Sequence, residues 1–101
     1  MKVLEHSPSF WFLFGENDHL FLDVNCSHGP VSYDVLIELN GAEAAQYSAR
    51  GRDYLDTLAE GVNLSGPGVA GSDSVYQSRN VAATYRAEVA HAIDNWKKVG
   101  S

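Results

Sequence analysis

The sequence predicts an α+β fold of order β-β-β-α-α: a three-stranded antiparallel meander followed by two amphipathic helices packed on one face of the sheet. Three observations carry this expectation. Apolar and polar residues alternate with period two over 19–26 and again over 31–39. The period changes to a helical one directly after Asn40. Turn-forming residues punctuate the intervals between these runs.

The first strand is the short aromatic run Phe10 to Phe14, which is apolar on both parities, and Gly15-Glu16-Asn17-Asp18 reads as the turn that follows it. In the second strand Leu20, Leu22, Val24 and Cys26 share one parity, while His19, Phe21, Asp23 and Asn25 share the other. Ser27-His28-Gly29-Pro30 supplies the next turn. The third strand places Val31, Tyr33, Val35, Ile37 and Leu39 on one face, and Ser32, Asp34, Leu36 and Glu38 on the other. Asn40 with Glu43 three residues on resembles a capping box and opens a helix expected over roughly 41 to 61. Its apolar face is Ala44, Tyr47, Ser48, Gly51, Tyr54, Leu55, Leu58 and Val62. Residues 63 to 73 read as a loop, and Val81, Tyr85, Val89, Ala92, Trp96 and Val99 mark a second helix from about Val75 to Lys98. Lys97 and Lys98 suit the negative end of that helix.

The chain has 101 residues, 45% of them apolar, with 13 acidic residues against 7 basic ones and a net charge of −6. That length and composition fit one packed domain spanning 1–101, and they are too apolar for a disordered tail. The acidic balance argues against nucleic-acid binding, which needs a basic footprint. The longest apolar run, Phe10 to Phe14, is far below the ~20 residues of a membrane span, and Met1 to Glu5 does not open a secretory signal. A single cysteine allows no internal disulfide, so a cytoplasmic location is expected. No cofactor is implied.

The candidate site is the sheet face left open if both helices lie on the other side. A four-residue turn at Ser27 to Pro30 would set Asp23 opposite Asp34, Phe21 opposite Leu36 and His19 opposite Glu38. The first couple is anomalous, because directly opposed like charges destabilise a sheet. Phe21 and Leu36, rimmed by Asp23, Asp34 and Glu38, therefore read as a protein-interaction patch. The leading functional expectation is a small acidic binding module, of inhibitor or immunity type, that covers a basic surface of a partner protein. The alternative for the same patch is that one helix crosses to it or that a homodimer covers it through self-association. The first-turn register decides whether Phe10, Phe12 and Phe14, or Trp11 and Leu13, join it.

Other motifs carry weaker chemistry. Gly66 to Gly71 matches the dinucleotide string GxGxxG, but a helix precedes it and Pro67 fills the first variable place. A small-ligand or enzymatic site at this interhelix loop, using Gly66, Gly68 and Arg79, is the runner-up reading. Cys26 shares parity with the core residues and reads as packing rather than as a nucleophile or zinc ligand. The histidines lack metal-ligand spacing, and two aspartates alone fall short of a calcium shell. No catalytic or metal site is assigned.

Overall fold

The computed structural model describes residues 1–8, 10–28, 31–65 and 76–100. It holds a four-stranded antiparallel sheet in the order β1-β2-β3-β4 and three helices. The strands are β1 (Lys2–Ser7), β2 (Trp11–Glu16), β3 (His19–His28) and β4 (Val31–Glu38). The helices are α1 (Gly41–Arg50), α2 (Arg52–Ser65) and α3 (Arg86–Gly100). The α+β class holds, with one more strand and one more helix than the sequence pattern revealed.

The additional strand is β1. Its alternation is hidden by a bulge between Val3 and Glu5, which flips parity midway: Val3 pairs with Phe14 and His6 with Phe12, so residues three apart share a face. Leu4 at the irregularity lies over Gly15, where an added Cβ would sit 2.8 Å from Leu4 Cδ1.

The expected β3–β4 register moves by two residues, and the β2–β3 register, which the sequence leaves open, is set by a short turn. The β2–β3 turn contains only Asn17 and Asp18, at φ 48° and 69°, with Glu16 paired to His19. Two consecutive left-handed residues are the signature of a type I′ turn, and Asn and Asp are the non-glycine residues that best tolerate it. Between β3 and β4, Ser27 pairs with Ser32 and His28 with Val31, so only Gly29 and Pro30, outside the described residues, separate the strands. An even shift preserves parity and changes every partner. Asp23 consequently faces Leu36, Asp34 faces Asn25, and Phe21 faces Glu38, correcting the expected Asp23–Asp34, Phe21–Leu36 and His19–Glu38 couples.

The long first helix divides at Gly51, whose φ of 67° and ψ of −143° leave the helical region while its N–H still bonds the Tyr47 carbonyl at 2.7 Å. Glycine reaches that conformation without the clash a side chain would meet. The capping box at Asn40 is present in both directions: Asn40 Oδ1 accepts from the Glu43 N–H at 2.8 Å, and the Asn40 N–H donates to Glu43 Oε1 at 2.9 Å. Arg79 then donates to both Glu43 oxygens, at 2.9 and 2.6 Å, and to the Glu38 carbonyl at 2.8 Å. Burial works against ionisation of Glu43, but the hydrogen bonds from Arg79 and from Asn40 outweigh it and hold the carboxyl below its usual range. Asn40→Ala is expected to cost about 1 kcal/mol through the lost cap. Glu43→Ala should cost about 2–3 kcal/mol, because it also strips Arg79 of a charge-assisted partner. Urea denaturation midpoints of the two variants check the order.

The second expected helix starts later than its periodicity suggests. The Leu36 N–H donates to Asn80 Oδ1 at 3.2 Å, and the Val81 N–H donates to the Leu36 carbonyl at 2.8 Å. This clip satisfies two outward groups of β4, which is an edge strand, before α3 begins at Arg86.

The two helical packing surfaces fall on opposite sides of the sheet. Leu55, Leu58, Ala59 and Val62 of α2 pack with Trp11, Leu13, Leu22, Val24, Cys26, Val35 and Ile37. On the other face Ala92, Val89, Tyr85 and Ile93 pack with Phe14, Phe21, Leu36 and Phe12. The expectation of both helices on one face is thus corrected, and its stated alternative, one helix crossing over, is what the structure adopts. The physical reason is that each sheet face offers enough apolar surface for its own cover. Helix α1 buries none of its residues fully, and its Tyr47 packs half-buried against the α2-side core. Among the described residues, no helix is long and apolar enough to cross a membrane.

Candidate functional site

The second face is not closed along its whole length. The Trp96 end of α3 is seated near β1, with the Trp96 ring centroid 4.6 Å from that of His6 and 5.5 Å from that of Phe12. Toward its N-terminus, a cleft of ≈ 400 Å³ separates Arg86, Val89, Ala90 and Ile93 from Asp23, Asp34 and Leu36. A smaller cavity of ≈ 160 Å³ shares Asp23, Asp34 and Ile93 with it and reaches Phe10 and Asn25. The cleft therefore has apolar walls, two carboxyl groups from adjacent strands and one guanidinium from the helix.

Asp23 is the decisive residue. Its Oδ1 is buried without a hydrogen-bond partner among the described residues. Burial, and secondarily the negative charge of Asp34, push its carboxyl up to about 7. Asp34 lies on the same face two residue pairs along and is exposed. The same two carboxylates add to burial in pushing the Cys26 thiol up to about 11, which keeps it protonated. Cys26 itself is fully buried beside α2.

The other residues singled out by sequence take different places. Phe21 and Leu36 are 3% and 1% exposed under α3, so the chain's own helix occupies the apolar patch assigned to a partner. His19 and Glu38 do meet, as a diagonal pair with His19 Nδ1 2.6 Å from Glu38 Oε2, and both are exposed. That hydrogen bond, with the charge of Glu38, raises the pKa of His19. Arg79 is spent on Glu43 and Glu38, which removes it from the runner-up ligand site. Gly66 and Gly68 lie outside the described residues. Among the described residues, no group of three or more His, Cys, Asp or Glu side chains could hold a metal ion.

Sequence reasoning paired Asp23 with Asp34 on one face but missed Arg86, Val89, Ala90 and Ile93. Their spacing was visible, since Ala82, Arg86, Val89, Ala90 and Ile93 follow the helical period. The sheet face against which that stripe lies was not.

No known protein family, curated protein or solved structure matches this chain. The site is therefore read from its own residues.

Proposed function

We propose that the protein is a small-ligand-binding domain whose site is the cleft between α3 and the Asp23–Asp34 face of the sheet. The carrying observation is the half-buried Asp23, which lines the cleft and has one carboxyl oxygen, Oδ1, buried without a partner among the described residues. An unsatisfied buried polar atom costs about 1–3 kcal/mol, and a ligand donor in the cleft offsets that cost once the Asp23 side chain turns Oδ1 toward it on binding. The ≈ 400 Å³ volume lies at the small end of the usual range for ligand pockets, with the usual composition of mostly apolar lining and a few convergent polar groups. The reading as an acidic protein-binding module keeps His19, Asp34 and Glu38 on the surface but has lost its apolar anchors, Phe21 and Leu36, to α3. Exposed charges alone contribute little affinity.

Backbone amide shift mapping with small apolar fragments bearing positive, neutral or negative groups tests the proposal. Responses are expected to cluster at Asp23, Asp34, Leu36, Val89 and Ile93, and to vanish in Ala90→Phe, which fills the cleft from an exposed helix position. Scattered responses, or responses that survive in Ala90→Phe, would overturn it.

A further inference from the structure

The cleft holds charges of both signs that do not neutralise one another. Asp23, Asp34 and Arg86 all line it, yet the ion pairs among the described residues are Met1–Glu16, His19–Glu38 and Arg79–Glu43, none of them in the cleft. Opposite charges that share a cavity without pairing are left for groups brought in from outside; Asp34 and Arg86 are exposed, and the half-buried Asp23 is the one whose partial desolvation strengthens a charge-assisted contact. The carboxyl groups call for a cationic donor, and Asp23 Oδ1 in particular has no donor among the described residues. The guanidinium calls for an anion, which it binds through parallel N–H groups. Between them Leu36, Val89, Ala90 and Ile93 offer apolar contact, and the volume admits one small molecule rather than a dinucleotide or a lipid chain.

Building on the ligand-binding reading above, we infer that the cleft takes a small zwitterion, with its ammonium group at Asp23 and Asp34, its carboxylate at Arg86 and an apolar body against α3. An apolar amino acid is the chemical class that meets all three demands. The ammonium sits between the Asp23 and Asp34 carboxyl groups and favours the ionised form of Asp23, whose side chain turns to bring its buried Oδ1 to the donor. The apolar body displaces water from the helix side, and Arg86, on the exposed first turn of α3, closes over the carboxylate.

Four probes separate the demands: leucine and 6-aminohexanoate as zwitterions of different charge separation, 3-methylbutylamine as a body with the cation alone, and 4-methylpentanoate with the anion alone. Titration is followed by amide shifts at about pH 8, where Asp23 is mostly ionised. At least one zwitterion is expected to bind about tenfold more tightly than either singly charged probe, the gain from one further charge-assisted contact. Arg86→Gln should reduce that zwitterion to the affinity of the amine, and Asp23→Asn should weaken the zwitterion and the amine while sparing the carboxylate. If the amine matches both zwitterions, or if Arg86→Gln leaves the preference intact, the zwitterion assignment is overturned and the cleft remains a site for cations. If none of the four probes moves the cleft resonances, the ligand-binding reading falls with it.

Discussion

Phe14→Ala is expected to destabilise the isolated protein by about 3–5 kcal/mol, the cost of truncating a fully buried phenylalanine. Phe14 is 0% exposed, in the layer formed by Phe21, Leu36 and Ala92 on the α3 side of the sheet. The magnitude discriminates between two architectures of the same sequence. On an open sheet face the same truncation removes a partly solvated ring and costs well under the core value, because little apolar area returns to water. Beneath α3 it leaves a cavity whose walls cannot fully collapse, and the transfer and cavity terms add. For a domain of this size the expected loss corresponds to a Tm lower by about 12 °C or more. Leu22→Ala, on the α2 side, supplies the reference: it is fully buried as well and should cost about 2–5 kcal/mol. Urea denaturation of both variants beside the parent decides the matter. Comparable losses establish two packed faces, whereas a Phe14→Ala midpoint close to that of the parent means that α3 does not cover this face.

That comparison also shows what the sequence can and cannot convey. The parity of the residues in β3 and β4 was legible, because side-chain direction follows from alternation alone, whereas β2, apolar on both parities, did not show which of its faces met which helix. Register was not, because it depends on how many residues the turns consume. The type I′ turn at Asn17-Asp18 takes two residues, and Gly15 and Glu16, read as turn residues in the sequence, pair within β2. The β1 alternation was erased by the bulge between Val3 and Glu5. Helix α3 was legible as an amphipathic stripe, but a stripe states only that a face is buried, not on which side of a sheet. The aromatic residues on the second face, Phe12, Phe14 and Phe21, held the missing information: an apolar surface of that extent is more simply covered by the same chain than left for a partner. Asp23 and Asp34 were found for a reason that did not survive, direct opposition, yet they line one cleft because both belong to the same face of adjacent strands. Arg86 could not have been added to them without the placement of α3.

Asp23→Asn is expected to stabilise the ligand-free protein at about pH 8 by about 2–4 kcal/mol and to leave its stability at about pH 4 nearly unchanged. The asymmetry follows from the direction of the shift. Burial first, and the charge of Asp34 second, raise the Asp23 carboxyl from the ordinary 3.8 to about 7. Between these two values the folded chain retains a proton that the unfolded chain has released. Rising pH therefore favours unfolding across this window, and the loss levels off once the folded carboxyl has ionised as well. A shift of about three units corresponds to roughly 4 kcal/mol when complete. Asparagine matches the protonated acid in shape and cannot ionise, so it avoids the loss. Other groups bend the parent's profile too. Glu43, whose pKa is lowered, stabilises above its unfolded value and loses that contribution as the pH falls through the folded one. His19, whose pKa is raised, stabilises at low pH and loses its contribution as the pH rises. Of the charged groups lining the cleft, Asp34 acts on Asp23 directly. The quantity to measure is therefore the difference between the two proteins, from urea unfolding at closely spaced pH values, in which the terms not coupled to Asp23 cancel. A difference that grows from about pH 4 and flattens near 7 assigns the ionisation cost to Asp23. A variant less stable than the parent at about pH 8 would instead mean that the ionised carboxylate holds a stabilising bond within the protein, and the case for a cleft awaiting a ligand donor would lose its central observation.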